Sequence, residues 1–113
     1  MINHKVKCSD FEIANDKPFT LIAGPCQLEN EAHAIKISSK LKEITSELGI
    51  NLIYKTSFDK ANRTSIKGKR GIGLEKSLPI FDKIRNEVGV PVLTDIHTAE
   101  QCSKVSNHVD VLQ

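Results

Sequence analysis

The sequence predicts a parallel α/β fold, and three observations carry that reading. Short apolar runs with β-branched members recur at residues 19–23, 51–57, 91–96 and 109–112. Helical apolar spacing fills the gaps, first at Ile37, Leu41, Ile44 and Leu48, then at Leu74, Leu78, Phe81, Ile84 and Val88. Glycines, Gly49 and Gly89, close both of these segments. The resulting βαβαβαβ order calls for parallel strands joined by right-handed crossovers.

Ahead of the first of these strands, residues 5–13 alternate weakly around a Ser9-Asp10 turn signal and predict a hairpin. Asn15-Asp16-Lys17-Pro18 marks a second turn. Residues 19–23 read as a buried strand stopped by Gly24-Pro25, a turn that delivers Cys26. A helix is expected within residues 28–48, with its buried face along Ile37, Leu41, Ile44 and Leu48. Residues 51–57 form the next strand, and a basic loop runs on to Gly73.

Pro79 then constrains the second helix, because proline inside a helix costs about 3 kcal/mol. Either Ser77 caps the helix with Pro79 in its first turn, or the helix carries a kink at Pro79. Thr98 and Gln101 have the spacing of a capping box and predict a short third helix before the last strand.

Composition narrows the function classes. At 113 residues, 39% hydrophobic and 27% charged, the chain has the size and balance of one soluble domain. A net charge of +2, one Tyr, four Phe and no Trp argue against nucleic-acid or membrane binding. No apolar run approaches the ~20 residues of a membrane span. The N-terminal MINHKVKCSDFE lacks an apolar signal core, so a cytoplasmic location is expected. Cys8, Cys26 and Cys102 are odd in number and share no CxxC spacing, which disfavours a disulfide framework or a zinc knuckle.

The chemistry concentrates in KTSFDKANRTS, residues 55–65, where Lys55, Lys60 and Arg63 stand among hydroxyls directly behind an apolar strand. Unpaired cations are too costly to bury, whereas a phosphate or carboxylate ligand satisfies them. A solvated basic loop is the plain alternative. The strand ends argue for a site, since parallel α/β folds bind ligands at the carboxyl ends of their strands. Those positions hold Gly24-Pro25-Cys26 after the first strand, then Lys55, Ser57, Asp59, Lys60, Asn62 and Arg63, then Asp95 and His97, then Gln113.

AGPCQLE (residues 23–29), SFDKANRTS (57–65), RGIGLE (70–75) and TDIH (94–97) together give a specific resemblance. Over residues 11–113 the chain resembles the 3-deoxy-D-manno-octulosonate 8-phosphate synthases. The resemblance implies a (β/α)8 TIM barrel, usually a homotetramer. It also implies a transferase that condenses phosphoenolpyruvate with D-arabinose 5-phosphate, releases phosphate and feeds lipopolysaccharide synthesis. A sister family making the heptulosonate 7-phosphate shares the GPC turn but carries KPRT where KANRTS stands here, so DKANR favours the octulosonate enzymes. A non-catalytic phosphate-binding module and an assembly fragment are the rival function classes.

Carried over position by position, the resemblance implies that Lys55, Ser57, Lys60 and Gln113 hold phosphoenolpyruvate. It assigns Asn62, Arg63 and Thr64 to the sugar phosphate, partly across a subunit contact. Asp95 falls near the sugar hydroxyls, and Lys60 and Asp95 are the expected catalytic residues. Cys26 places the chain with members that bind a divalent transition metal such as zinc, iron or manganese; their other ligands, a His, a Glu and an Asp, lie elsewhere in the barrel. A barrel of this type takes about 250 residues and eight strands. On this reading residues 1–17 are an N-terminal hairpin and residues 18–113 the first half of the barrel, an incomplete domain without activity alone.

Overall fold

The computed structural model describes residues 2–59 and 71–113. Two short strands, β1 (Val6–Cys8) and β2 (Phe11–Ile13), pair antiparallel, with Cys8 opposite Phe11. Ser9 makes the turn in the left-handed region at φ 55. Four further strands, β3 (Thr20–Ala23), β4 (Asn51–Lys55), β5 (Val92–Thr94) and β6 (Val111–Leu112), form one parallel sheet in sequence order. Among the described residues β3 and β6 are its edges.

Among the described residues three helices connect the strands: α1 (Glu31–Leu48), α2 (Leu74–Lys83) and α3 (Gln101–Val105). Asn30 caps α1 by accepting from the His33 amide at 2.8 Å, and Gly49 ends it in the left-handed conformation at φ 70. The expected face of α1 holds in part: Ile37 and Leu41 pack against the core, whereas the rest of the face differs. Ala34, Ser38 and Thr45 are buried, whereas Ile44 is 42% and Leu48 68% exposed. Small side chains let the helix lie close to its neighbours. The two hydroxyls are buried without loss because Ser38 donates to the Ile35 carbonyl at 3.2 Å and Thr45 to that of Leu41 at 2.9 Å.

In α2 the arrangement with Ser77 as cap is not adopted. The helix starts at Leu74, Pro79 lies inside it on an exposed position, and the Ser77 hydroxyl donates to the Gly73 carbonyl at 2.6 Å. A π-helical turn, Ile84–Val88, continues α2, and Gly89 closes it at φ 79 by donating to the Ile84 carbonyl at 3.0 Å. The capping box before α3 forms in part. Gln101 Oε1 accepts from the amides of His97 at 2.8 Å and Thr98 at 3.3 Å, but the helix itself begins only at Gln101.

Alternation along the strands divides the core in two. Leu52, Tyr54 and Val92 face the helices and join Leu28, Leu78, Phe81, Ile84 and Val105. Ile53 and Leu93 face the other way and are covered by Cys8, Phe11, Ile13 and Val111. The hairpin therefore seals one part of the second face, and β4 is buried on both sides, which explains its continuous apolar run. Burial, followed by the nearby Asp110 and Asp10 charges, raises the Cys8 thiol pKa, so Cys8 is a packing residue.

The amino ends of β5 and β6 are tied by charge. Asp110 accepts from the Val92 amide at 2.9 Å and pairs with Arg85 at 3.2 Å. His108, incidental on sequence grounds, meets Asp82 at 2.8 Å.

Tyr54 is fully buried and its hydroxyl has no hydrogen-bond partner among the described residues. Such a group costs about 1–3 kcal/mol relative to a satisfied one. Tyr54→Phe is expected to raise unfolding stability by about 1 kcal/mol in urea titrations at pH 7. Burial also pushes the phenol from 10.0 up to about 12. The stability linked to the neutral phenol is therefore full below pH 10 and is lost as the pH rises toward 12, a decline that Tyr54→Phe removes. A phenylalanine variant less stable than the parent would show that the hydroxyl is satisfied after all.

Candidate functional site

Parallel pairing brings the carboxyl ends of β3, β4, β5 and β6 to one side of the sheet, and a cleft of about 340 Å³ opens there. Cys26, Lys55, Ser57, Asp95 and Gln113 line it, so the structure brings together five of the residues the sequence singled out. Lys60, Asn62, Arg63 and Thr64 lie outside the described residues.

Each lining group has a local reason for its place. Lys55 follows Ile53 by two strand positions and shares its face of the sheet, which brings the ammonium group to the open end of that face. Ser57 is held tightly: its carbonyl accepts from the Leu28 amide at 2.8 Å and its hydroxyl donates to the Asp59 carbonyl at 3.0 Å. Leu28 is fully buried, so the turn carrying Cys26 is anchored in the core two residues later. Gly24 makes the close approach of β3 to β4 possible, since a Cβ there would overlap the Lys55 carbonyl oxygen.

Asp95 has one carboxylate oxygen, Oδ1, buried without a hydrogen-bond partner among the described residues, while Oδ2 lies 3.5 Å from His97 Nε2. The His97 ring meets the buried Phe58 ring edge to face, with centroids 5.7 Å apart. An unpaired buried carboxylate oxygen is costly and suits a ligand hydroxyl that donates to it. The cleft thus offers a cation for an anionic ligand and an acceptor for a polyhydroxylated one.

Sequence reasoning missed the groups that fix these strand ends. Thr94 is fully buried, and its Oγ1 donates to the Thr56 carbonyl at 2.7 Å. The Thr94 carbonyl accepts from the Gln113 amide at 3.0 Å, and the Gln113 carbonyl accepts from Ile96 at 3.1 Å. The available signal was a hydroxyl ending the apolar stretch Pro91-Val92-Leu93, where a valine would pack as well.

Cys26 is exposed at the mouth of the cleft. Among the described residues no group of three or more His, Cys, Asp or Glu side chains could hold a metal ion.

The model of the DAHP synthetase I family matches residues 2–113. The chain is 57% identical over 111 residues to a 2-dehydro-3-deoxyphosphooctonate aldolase of Brucella anthropi, covering 98% of this chain and 40% of the relative. The protein of the same name from Brucella ovis matches with the same identity and coverage. One from Rhodopseudomonas palustris is 57% identical over 108 residues, covering 96% of this chain and 38% of its own length. The chain thus spans about two fifths of the length of the curated relatives it matches.

Gly24→Ala is expected to push β3 away from β4 and to cost about 1–3 kcal/mol of stability, read from the urea midpoint. An alanine variant as stable as the parent would contradict the close approach of the two strands.

Proposed function

The chain belongs to the DAHP synthetase I family, and from that premise we propose that it forms the N-terminal part of a 3-deoxy-D-manno-octulosonate 8-phosphate synthase. In this reading the four-stranded parallel sheet is half of a (β/α)8 barrel. The whole enzyme is a cytoplasmic homotetramer serving lipopolysaccharide synthesis. The observation that carries the proposal is the convergence of Lys55, Ser57, Asp95 and Gln113 on one cleft, in a chain whose relatives bear the octonate name. No helix of the described residues is long and apolar enough to cross a membrane.

The reaction joins the methylene carbon of phosphoenolpyruvate to the aldehyde carbon of arabinose 5-phosphate; water adds at the enolpyruvate carbon and phosphate leaves. Lys55, with Lys60, neutralises the carboxylate and phosphate of phosphoenolpyruvate. The Ser57 hydroxyl, which donates to the Asp59 carbonyl at 3.0 Å, turns its proton to the anion when phosphoenolpyruvate binds, and Gln113 adds a carboxamide. Asn62, Arg63 and Thr64 take the sugar phosphate. Asp95 accepts a sugar hydroxyl on Oδ1 and is placed to move a proton near the reacting carbons. Cys26 is proposed to give one thiolate to a divalent zinc, iron or manganese ion in the complete protein, where such an ion would act as a Lewis acid.

The heptulosonate reading is not favoured, because the relatives compared carry the octonate name and the chain carries DKANR.

The test is condensation by the full-length protein carrying this sequence, followed by phosphate release. Product is expected with arabinose 5-phosphate and at least about tenfold less with erythrose 4-phosphate. Asp95→Asn and Lys60→Ala are each expected to lower kcat/KM by about 100-fold or more. A preference for erythrose 4-phosphate would overturn the assignment. Cys26→Ser is expected to remove bound metal, and an unchanged metal content would refute the thiolate ligand. The 113-residue chain alone is expected to show no turnover.

A further inference from the structure

We infer that Thr94 is a positioning residue for the anion-binding groups of the cleft, an inference that rests on the function proposed above. Lys55 and Ser57 flank Thr56, and the Thr94 hydroxyl donates to the Thr56 carbonyl at 2.7 Å in a fully buried setting. The regular ladder weakens at this point, since the Thr56 amide reaches the Leu93 carbonyl at a longer 3.3 Å. The hydroxyl therefore sets how far the end of β4 stands from β5. On its other side, the Thr94 carbonyl accepts from the Gln113 amide at 3.0 Å. Asp95 is the next residue in the chain.

One residue thus spans the three strand ends that carry Lys55, Ser57, Asp95 and Gln113, all of which line the cleft. It touches no ligand itself, because its side chain is inaccessible and its hydroxyl proton is committed to backbone. Thr94 acts through the spacing of its neighbours. Two anionic groups on one small ligand need their partners held to a fraction of an ångström, so loss of this tie should appear first in affinity.

The experiment is a calorimetric titration with phosphoenolpyruvate of the unaltered protein, Thr94→Val and Thr94→Ser, well below their unfolding temperatures. Thr94→Val keeps the shape and removes the hydroxyl, and is expected to weaken phosphoenolpyruvate binding about tenfold, the loss of roughly one hydrogen bond. Thr94→Ser restores the hydroxyl and is expected to bind within about twofold of the unaltered protein. A hydroxyl that served folding alone would lower the thermal midpoint and leave the affinity of the folded protein unchanged. Equal affinity of Thr94→Val and the unaltered protein, or equally weak binding by both variants, overturns the inference alone. Absence of binding by the unaltered protein overturns the functional reading and this inference with it.

Discussion

The parallel register of β3, β4, β5 and β6 is the constraint from which the rest of the molecule follows. Antiparallel strands would send alternate ends to opposite sides of the sheet; parallel ones collect every carboxyl end on one side. Four chain segments far apart in sequence thereby deliver a thiol, an ammonium group, a carboxylate and a carboxamide to a single cleft. The same register requires crossovers, and α1, α2 and α3 supply them while burying Leu52, Tyr54 and Val92.

The two ends of the sheet divide their labour. At the amino ends, Asp110, Arg85, His108 and Asp82 are paired with one another or with backbone, and the hairpin covers Ile53 and Leu93. At the carboxyl ends the backbone is fixed as firmly, through Leu28 to Ser57, Thr94 to Thr56 and Gln113 to Thr94. There, however, an Asp95 oxygen has no partner among the described residues. A rigid backbone presenting unsatisfied side-chain groups is the arrangement expected of a preorganised binding site. Gly24 belongs to the same arrangement, since only a residue without a side chain lets the Cys26 turn pass so near Lys55.

Much of this was legible in the sequence because apolar periodicity and turn residues encode it directly. The strand order, the Ser9-Asp10 turn and the Gly49 and Gly89 stops all needed only local chemistry. The buried face of α1 was legible only in part: Ile37 and Leu41 do pack on the core, but Ser38 and Thr45 look polar until their hydroxyls are seen to bond to their own helix. Ile44 and Leu48 look like core until the neighbours around them are known. Pro79 was ambiguous for a similar reason: propensity alone does not say where the helix starts, and Gly73 with Ser77 set it earlier. At the site, Lys55, Ser57, Asp95 and Gln113 could be named from their strand-end positions. Thr94 could not, since its role depends on a carbonyl 38 residues away in sequence.

The central claim is that the carboxyl ends of the parallel strands form one anion-binding site. It is tested most directly by amide chemical-shift mapping of the ¹⁵N-labelled protein during titration with phosphoenolpyruvate. The account predicts saturable shifts at Lys55, Ser57, Asp95 and Gln113 in a single titration, with the amides of Asp10, His108 and Asp110 at the opposite end unmoved. Shifts centred on that opposite end, or a complete absence of saturable shifts at the four cleft residues, would contradict it.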